Sequence, residues 1–223
     1  MAANFLDRGY GGLLKPLDYG QVAPLLFLWG ELTVSRALGF GEVSLRLIPF
    51  LASSASLILF AGIARRQFGD CLASVLAVAV FAVSMTLIRY SSEVKPYSCD
   101  LLAATLLLWV ALAAMDRQWE TRADWILLFL TPVLILSSLP SVFVLGGVCV
   151  VLALQSVKQR RWRTGLVASA LALATSIAFG IYYVTFLSPH HEFNKSWMTG
   201  YWSHTFPPLD NLFSFVGWFV NIH

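Results

Sequence analysis

The sequence predicts an all-α fold, a polytopic bundle of about six transmembrane helices with one further helix at the outer membrane interface. Hydrophobic residues make up 58% of the chain and charged residues 12%, about half the charged share of a soluble domain. Uncharged apolar runs cover residues 47–64, 71–88, 125–157 and 164–189. A helix needs about 20 apolar residues to cross roughly 30 Å of hydrocarbon. The rest of the chain is too short to bury such runs in a soluble core.

Composition also excludes several other classes of protein. The net charge of +3 gives no basis for nucleic-acid binding, since the cations are confined to short gaps between apolar runs. The first 20 residues contain no apolar region of the kind found in a signal peptide. Cys71, Cys99 and Cys149 belong to three different runs without a Cys-x-x-Cys pair, so we expect packing roles for them and no disulfide.

The distribution of lysine and arginine predicts the topology. Short loops rich in these residues face the cytoplasm, and the chain has such clusters at 65–66, 117–122 and 158–163. The N-terminal 40 residues, the loop 89–96 and the segment after Ser188 then lie outside.

The long run 125–157 determines how many times the chain crosses. Both of its flanks are basic, so an even number of crossings must lie between them. Pro140 disfavours helix at the preceding residue and lacks an amide donor, which predicts two short helices joined by a turn on the outer side. A single kinked helix is the alternative. The six predicted spans are 45–64, 71–89, 97–115, 124–137, 140–157 and 163–187.

Two end segments do not fit a span. Val22–Leu38 is apolar at first but then carries Glu31 and Arg36, and a charge near the bilayer centre costs about 2.5–3.5 kcal/mol. We therefore expect a helix lying at the outer interface. Leu212–Val220 is predicted to begin a further helix. The chain is thus one membrane domain, 1–223, divided into an outer segment 1–40, the spans within 41–187 and a second outer segment 188–223.

The outer loop 89–97 is the strongest candidate for a functional site. Arg89 and Lys95 oppose the positive-inside trend, Glu93 lies between them, and Asp100 follows one turn into the next helix. An ionisable residue at membrane depth is costly unless it faces a polar cavity. The functional interpretation is a surface site in which the cations bind an anionic headgroup and a carboxylate accepts a proton. The structural alternative is snorkelling cations, an interfacial Tyr97 and a simple Glu93–Lys95 pair.

Three other polar features have structural interpretations. Asp18, in a segment rich in proline and glycine, is typical of a cap or a turn. Glu42 and Arg46 have the i, i+4 spacing of a helical ion pair. The histidines at 190, 191 and 204 lack metal-ligand spacing. No metal site or cofactor is predicted, although a divalent ion assisting the reaction stays possible.

Three segments in order resemble the GT-C superfamily of integral-membrane glycosyltransferases. Residues 16–27 are similar to its proline-rich approach, and 41–50 to its G-x-E-x-x-x-R-L-x-P opening of a span. That span closes at 64–69 with A-R-R-x-x-G, and 89–97 occupies the position of the second outer loop. The resemblance covers residues 4–110 and is greatest to the bacterial branch of protein mannosyltransferase-like and lipopolysaccharide-modifying enzymes.

The resemblance implies transfer of a sugar from a polyprenyl-phosphate carrier at the outer face of the bacterial cytoplasmic (inner) membrane. It implies catalytic roles for Glu93 and Asp18, and substrate binding by four residues: Arg89, Lys95, Tyr97 and Asp100. The pattern does not specify the sugar or the acceptor. The family's adjacent acidic pair in the first outer loop is missing, and the family has about a dozen spans. We therefore expect a chain that is incomplete at both ends.

Two other classes of protein compete with the enzyme. A transporter would carry ionisable or helix-breaking residues near the middle of several spans, whereas here the polar residues lie at the outer edge. A non-catalytic fragment or assembly subunit is the third hypothesis, because the chain lacks the acidic pair.

Overall fold

The computed structural model describes residues 1–18, 21–116, 126–188, 200, 206–208 and 211–222. This part of the chain is helical and contains no strand, which confirms the all-α prediction. Its helices, numbered in chain order, are α1 Ala3–Asp7, α2 Leu25–Leu38, α3 Glu42–Phe68, α4 Leu72–Ala82, α5 Met85–Tyr90, α6 Tyr97–Asp116, α7 Ile126–Ser137, α8 Ser141–Gln159, α9 Trp162–Tyr182 and α10 Leu212–Ile222. A short 3₁₀ turn, Gly12–Leu14, follows α1, and α9 continues into a π-helical turn, Tyr183–Leu187.

Four helices are long and apolar enough to cross a membrane, namely α3, α6, α8 and α9 with its π-helical turn. Most of their apolar side chains lie on the surface, including those of Phe143 and Val157. A soluble protein rarely leaves so much contiguous apolar surface in water. The described chain is therefore a helical membrane bundle.

The bundle is held together by a few extensive helix contacts. α3 packs on α6, α9 packs on both α7 and α8, and α6 contacts α7 and α8. α2 packs against α3 and α7 and buries Phe27, Leu28 and Leu32. With 14 residues at about 1.5 Å each, α2 is too short to cross the hydrocarbon. It covers residues 25–38 of the interfacial helix predicted over Val22–Leu38, and it is also part of the packed core.

The predicted second span differs from the structure. The chain does not form one helix over 71–89, since α4 ends at Ala82 and α5 begins at Met85. Ser84 has an extended backbone (ψ 113°) and its carbonyl accepts the first hydrogen bond of α5, from Ile88 N. α4 alone has 11 residues, so the expectation of an unbroken helical span here was wrong.

The predicted break near Pro140 is present. α7 ends at Ser137 and α8 begins at Ser141, so the chain forms two helices rather than a single kinked one. The Ser141 hydroxyl donates to the Ser138 carbonyl at 2.6 Å, which closes the turn. Residues 189–199 and 201–205, including the three histidines of that region, lie outside the described part of the chain.

Candidate functional site

The loop between α5 and α6 is fixed by local hydrogen bonds. The hydroxyls of Ser91 and Ser92 donate to the carbonyls of Ile88 and Arg89, which satisfies carbonyls at the end of α5. Across the loop, the Ser98 hydroxyl donates to the Tyr90 carbonyl at 2.9 Å. These bonds hold the end of α5 against the start of α6, with the charged residues of the loop between them.

Glu93 holds both neighbouring cations. Its Oε1 atom accepts a hydrogen bond from Arg89 Nε at 2.7 Å, and its Oε2 atom lies 3.2 Å from Lys95 Nζ. The second contact is an ion pair without a well-aligned hydrogen bond. The hydrogen bond from Arg89, together with Lys95, lowers the pKa of the Glu93 carboxyl. Glu93 is thus ionised at neutral pH and orients two cations.

Tyr97 gives this cluster an aromatic wall. Lys95 Nζ lies 5.6 Å from the centroid of the Tyr97 ring, within the range of a cation–π contact. The rings of Tyr90 and Tyr97 are 4.4 Å apart between centroids. The structure therefore brings together four of the predicted site residues, Arg89, Glu93, Lys95 and Tyr97.

A cavity of about 210 Å³ opens beside Lys95 and Tyr97. Its walls also include Gln21 and Val22 from the segment before α2. The side-chain oxygen of Gln21 is buried without a hydrogen-bond partner. The cavity thus offers a cation and an aromatic face, which suits a small polar group that carries negative charge.

Asp18 belongs to a different group of contacts. Its Oδ1 atom accepts a hydrogen bond from Arg8 Nη2 at 2.6 Å, and its backbone N–H donates to Asn4 Oδ1 at 2.9 Å. Arg8 also donates to the Pro16 carbonyl at 2.7 Å. These contacts fit the structural interpretation, in which Asp18 orders the N-terminal segment, and they do not join it to the Glu93 cluster.

Asp100 is predicted to bind substrate, yet it points into the bundle. Its Oδ1 atom is buried without a hydrogen bond, beside the Ser138 hydroxyl of the α7–α8 turn. The Ser138 Oγ atom is likewise buried and has no hydrogen bond of ordinary geometry. Asp100 does not line the cavity beside Lys95.

Glu31 was not among the predicted site residues. Its charge was used only as evidence against a transmembrane span over Val22–Leu38. Its side chain is fully buried, at 0% exposure, and neither carboxylate oxygen has a hydrogen-bond partner. Burial raises its pKa to about 8. The signal was available, because an ionisable residue within an apolar stretch is by default a functional candidate.

An apolar groove lies next to the polar cavity. Its volume is about 600 Å³, and its walls come from Leu25 of α2, Leu136 of α7, and Ile177 and Tyr182 of α9, among other apolar residues. Leu25 follows Gln21 and Val22 closely in the chain, so the five-residue segment 21–25 borders both spaces. This arrangement suits a ligand with a polar head and an apolar tail.

The described residues contain no group of three His, Cys, Asp or Glu side chains that could hold a metal ion. Cys71, Cys99 and Cys149 are free thiols.

The helical fold and this polar site at the helix ends define a polytopic α-helical membrane protein. No family model, no curated protein and no solved structure matches the chain.

Proposed function

We propose that this protein is a membrane glycosyltransferase that moves a sugar from a polyprenyl-phosphate donor to an acceptor at the outer face of the bacterial cytoplasmic membrane. One observation carries the proposal. The segment 21–25 borders both a polar cavity that contains a cation and an apolar groove. A lipid-linked sugar phosphate likewise has a polar, negatively charged head that is joined to an apolar tail.

The proposed reaction breaks the bond between the sugar's anomeric carbon and the phosphate oxygen and forms a bond from that carbon to the acceptor oxygen. The leaving group is the polyprenyl phosphate, which keeps the electron pair and gains negative charge. Fixed cations stabilise charge that develops in a transition state. Lys95 lines the cavity and Arg89 adjoins it through Glu93, so these two residues bind the phosphate.

The acceptor hydroxyl gives its proton to a carboxylate. Glu93 is ionised at neutral pH, as a base must be, but its lowered pKa suits it better to orient a hydroxyl than to remove a proton. Asp18, the other predicted carboxylate, pairs with Arg8 outside this cluster and would have to leave that pair to accept the proton. Tyr97 supplies a ring face against which the sugar packs.

The positions of the ionisable residues favour an enzyme over a transporter. The long helices α3, α8 and α9 carry their charges near their ends, with none in residues 47–64, 141–157 or 164–187. A transporter would be expected to bind its substrate near the middle of the bilayer. Polar chemistry at one end of the bundle suits a reaction at the membrane surface.

The test is a transfer assay on membranes that contain the protein, with a radiolabelled polyprenyl-phosphate sugar. We expect Glu93→Gln and Lys95→Ala each to lose more than about tenfold in turnover, in line with the loss of one transition-state contact. Asp18→Asn is assayed beside them to decide which carboxylate accepts the proton.

Glu42→Gln is the matched control, because Glu42 and Arg46 form a comparable i, i+4 ion pair, at 3.4 Å, at the start of α3. It should retain wild-type turnover. If Glu93→Gln and Lys95→Ala both retain it as well, the site assignment is wrong.

A further inference from the structure

A second polar site lies inside the bundle, away from the Glu93 cluster. Glu31 of α2 is fully buried, and both of its carboxylate oxygens lack a hydrogen-bond donor. The Cys99 thiol at the start of α6 lies within electrostatic range of both Glu31 and Asp100. Ser138, from the α7–α8 turn, lies beside Asp100. Three separate elements therefore place acidic and hydroxyl groups in one buried region.

In the described part of the chain, no cation lies within hydrogen-bonding distance of the Glu31 carboxylate. α2 packs against α1, the 3₁₀ turn, α3 and α7. α7 and the 3₁₀ turn contain no titratable residue, and α1 contains only Asp7, which is exposed.

The charges of α3 are also engaged elsewhere. Glu42 and Arg46 pair with each other, and Arg65 and Arg66 lie at the far end of the helix, where Arg65 pairs with Asp70 and Arg66 donates to the Leu112 carbonyl. On α2 itself, the Arg36 guanidinium stacks over the Tyr10 ring at 5.1 Å. From α6, the Cys99 thiol lies within electrostatic range of Glu31, and it is not a cation.

A buried carboxylate with neither a cation nor a hydrogen bond costs several kcal/mol, and such a group takes up a proton instead. With 0% exposure, the Glu31 side chain is separated from bulk water. Uptake of a proton is the compensation left open to it, since none of the described residues donates to its carboxylate.

We propose that Glu31, buried without a hydrogen-bond partner, forms a proton-binding site that holds α2 against the bundle when occupied. Burial, which raises the pKa of Glu31 to about 8, agrees with this assignment. Loss of the proton leaves an uncompensated negative charge on the packed side of α2 and weakens its contacts with α3 and α7. Since α2 begins at Leu25, the last residue of the segment 21–25, the proton site is coupled to the walls of both cavities. The proposal does not depend on glycosyl transfer.

The test is infrared spectroscopy of the purified full chain in lipid nanodiscs. The readout is the protonation state of the Glu31 carboxyl group. We expect a C=O stretching band of a protonated carboxyl at pH 6.5, and its loss with a midpoint near pH 8. The band should shift when glutamate carboxyls carry ¹³C and should be absent in Glu31→Gln. Asp100→Asn and Glu93→Gln should both retain it.

A band that survives in Glu31→Gln, or that disappears only in Asp100→Asn, would overturn the assignment. If Glu31→Gln does not fold, ¹³C labelling of glutamate in the wild-type chain decides the matter. A protonated glutamate band that titrates near pH 8 supports the site, and its absence at pH 6.5 contradicts it.

Thermal unfolding gives an independent readout. In the folded protein Glu31 keeps its proton up to about pH 8, whereas its ordinary pKa is 4.5. The folded state therefore binds more protons between these values, and stability falls as the pH rises through that window. The apparent Tm of the wild type should decline by several degrees more than that of Glu31→Gln between pH 5 and 9; equal declines would contradict the proposal.

Discussion

Arg89 Nε lies 2.7 Å from Glu93 Oε1, and this i, i+4 contact spans the end of α5 and the loop that follows it. The Arg89 side chain is 74% exposed and that of Glu93 is 24% exposed. Exposed ion pairs contribute about 0.2–1 kcal/mol to stability. The contact therefore contributes little to the stability of the fold. Its main effect is to position two charged side chains at one end of the bundle.

The first prediction concerns this pair. Arg89→Gln should change the apparent Tm by no more than a few degrees, because water screens an ion pair this exposed. Transfer should fall at least about tenfold, because the phosphate loses a fixed cation. Circular dichroism melting and the transfer assay on the same preparation check both parts. A large loss of stability with unchanged turnover would assign the pair a purely structural role.

The second prediction concerns the apolar groove. Ile177→Trp should reduce transfer from a long-chain polyprenyl donor, because the larger ring occupies the groove that Ile177 lines. Leu173→Trp is the control, since Leu173 lies one turn earlier on α9, is similarly exposed and does not line the groove. Turnover with long and short prenyl donors measures the effect. Equal losses in the two variants would exclude the groove as the tail site.

The third prediction tests the contact between α3 and α6. A Cβ atom at Gly62 would lie 2.2 Å from Trp109 Cζ3, so Gly62→Ala should destabilise the bundle by about 1–3 kcal/mol through overpacking. Gly146→Ala on α8, where a Cβ atom meets nothing within 4 Å, should be neutral or slightly stabilising. Thermal unfolding of both variants in detergent compares them.

Trp109→Leu combined with Gly62→Ala should restore part of the lost stability by removing the ring that the methyl group meets. Failure of this rescue would mean that the glycine is required for another reason.

The fourth prediction tests the orientation in the membrane. In a background with Cys71, Cys99 and Cys149 replaced by serine, Ser92→Cys should react with an impermeant thiol reagent added to intact cells. Lys158→Cys should react only after the membrane is permeabilised, because basic loops face the cytoplasm. Both positions are exposed. The reverse labelling pattern would invert the topology and move the Glu93 cluster to the cytoplasmic face.

Two features of the fold followed directly from the sequence. Uncharged runs of sufficient length predicted the long helices, because backbone groups in lipid must be hydrogen-bonded within the segment. Pro140 predicted the break between α7 and α8 for an equally local reason. The proximity of Arg89, Glu93, Lys95 and Tyr97 was also predictable, because these residues lie within nine positions of one another.

Tertiary structure alone decided the rest. Gln21 lies far from Lys95 in the chain, and only the docking of the segment before α2 brings both to one cavity. The charge of Glu31 marked it as unusual in the sequence, but its burial depends on the packing of α3 and α7 against α2. Whether Glu31 is buried, and whether it has a hydrogen-bond partner, depends on residues that are distant in sequence. No local sequence pattern therefore predicts either property.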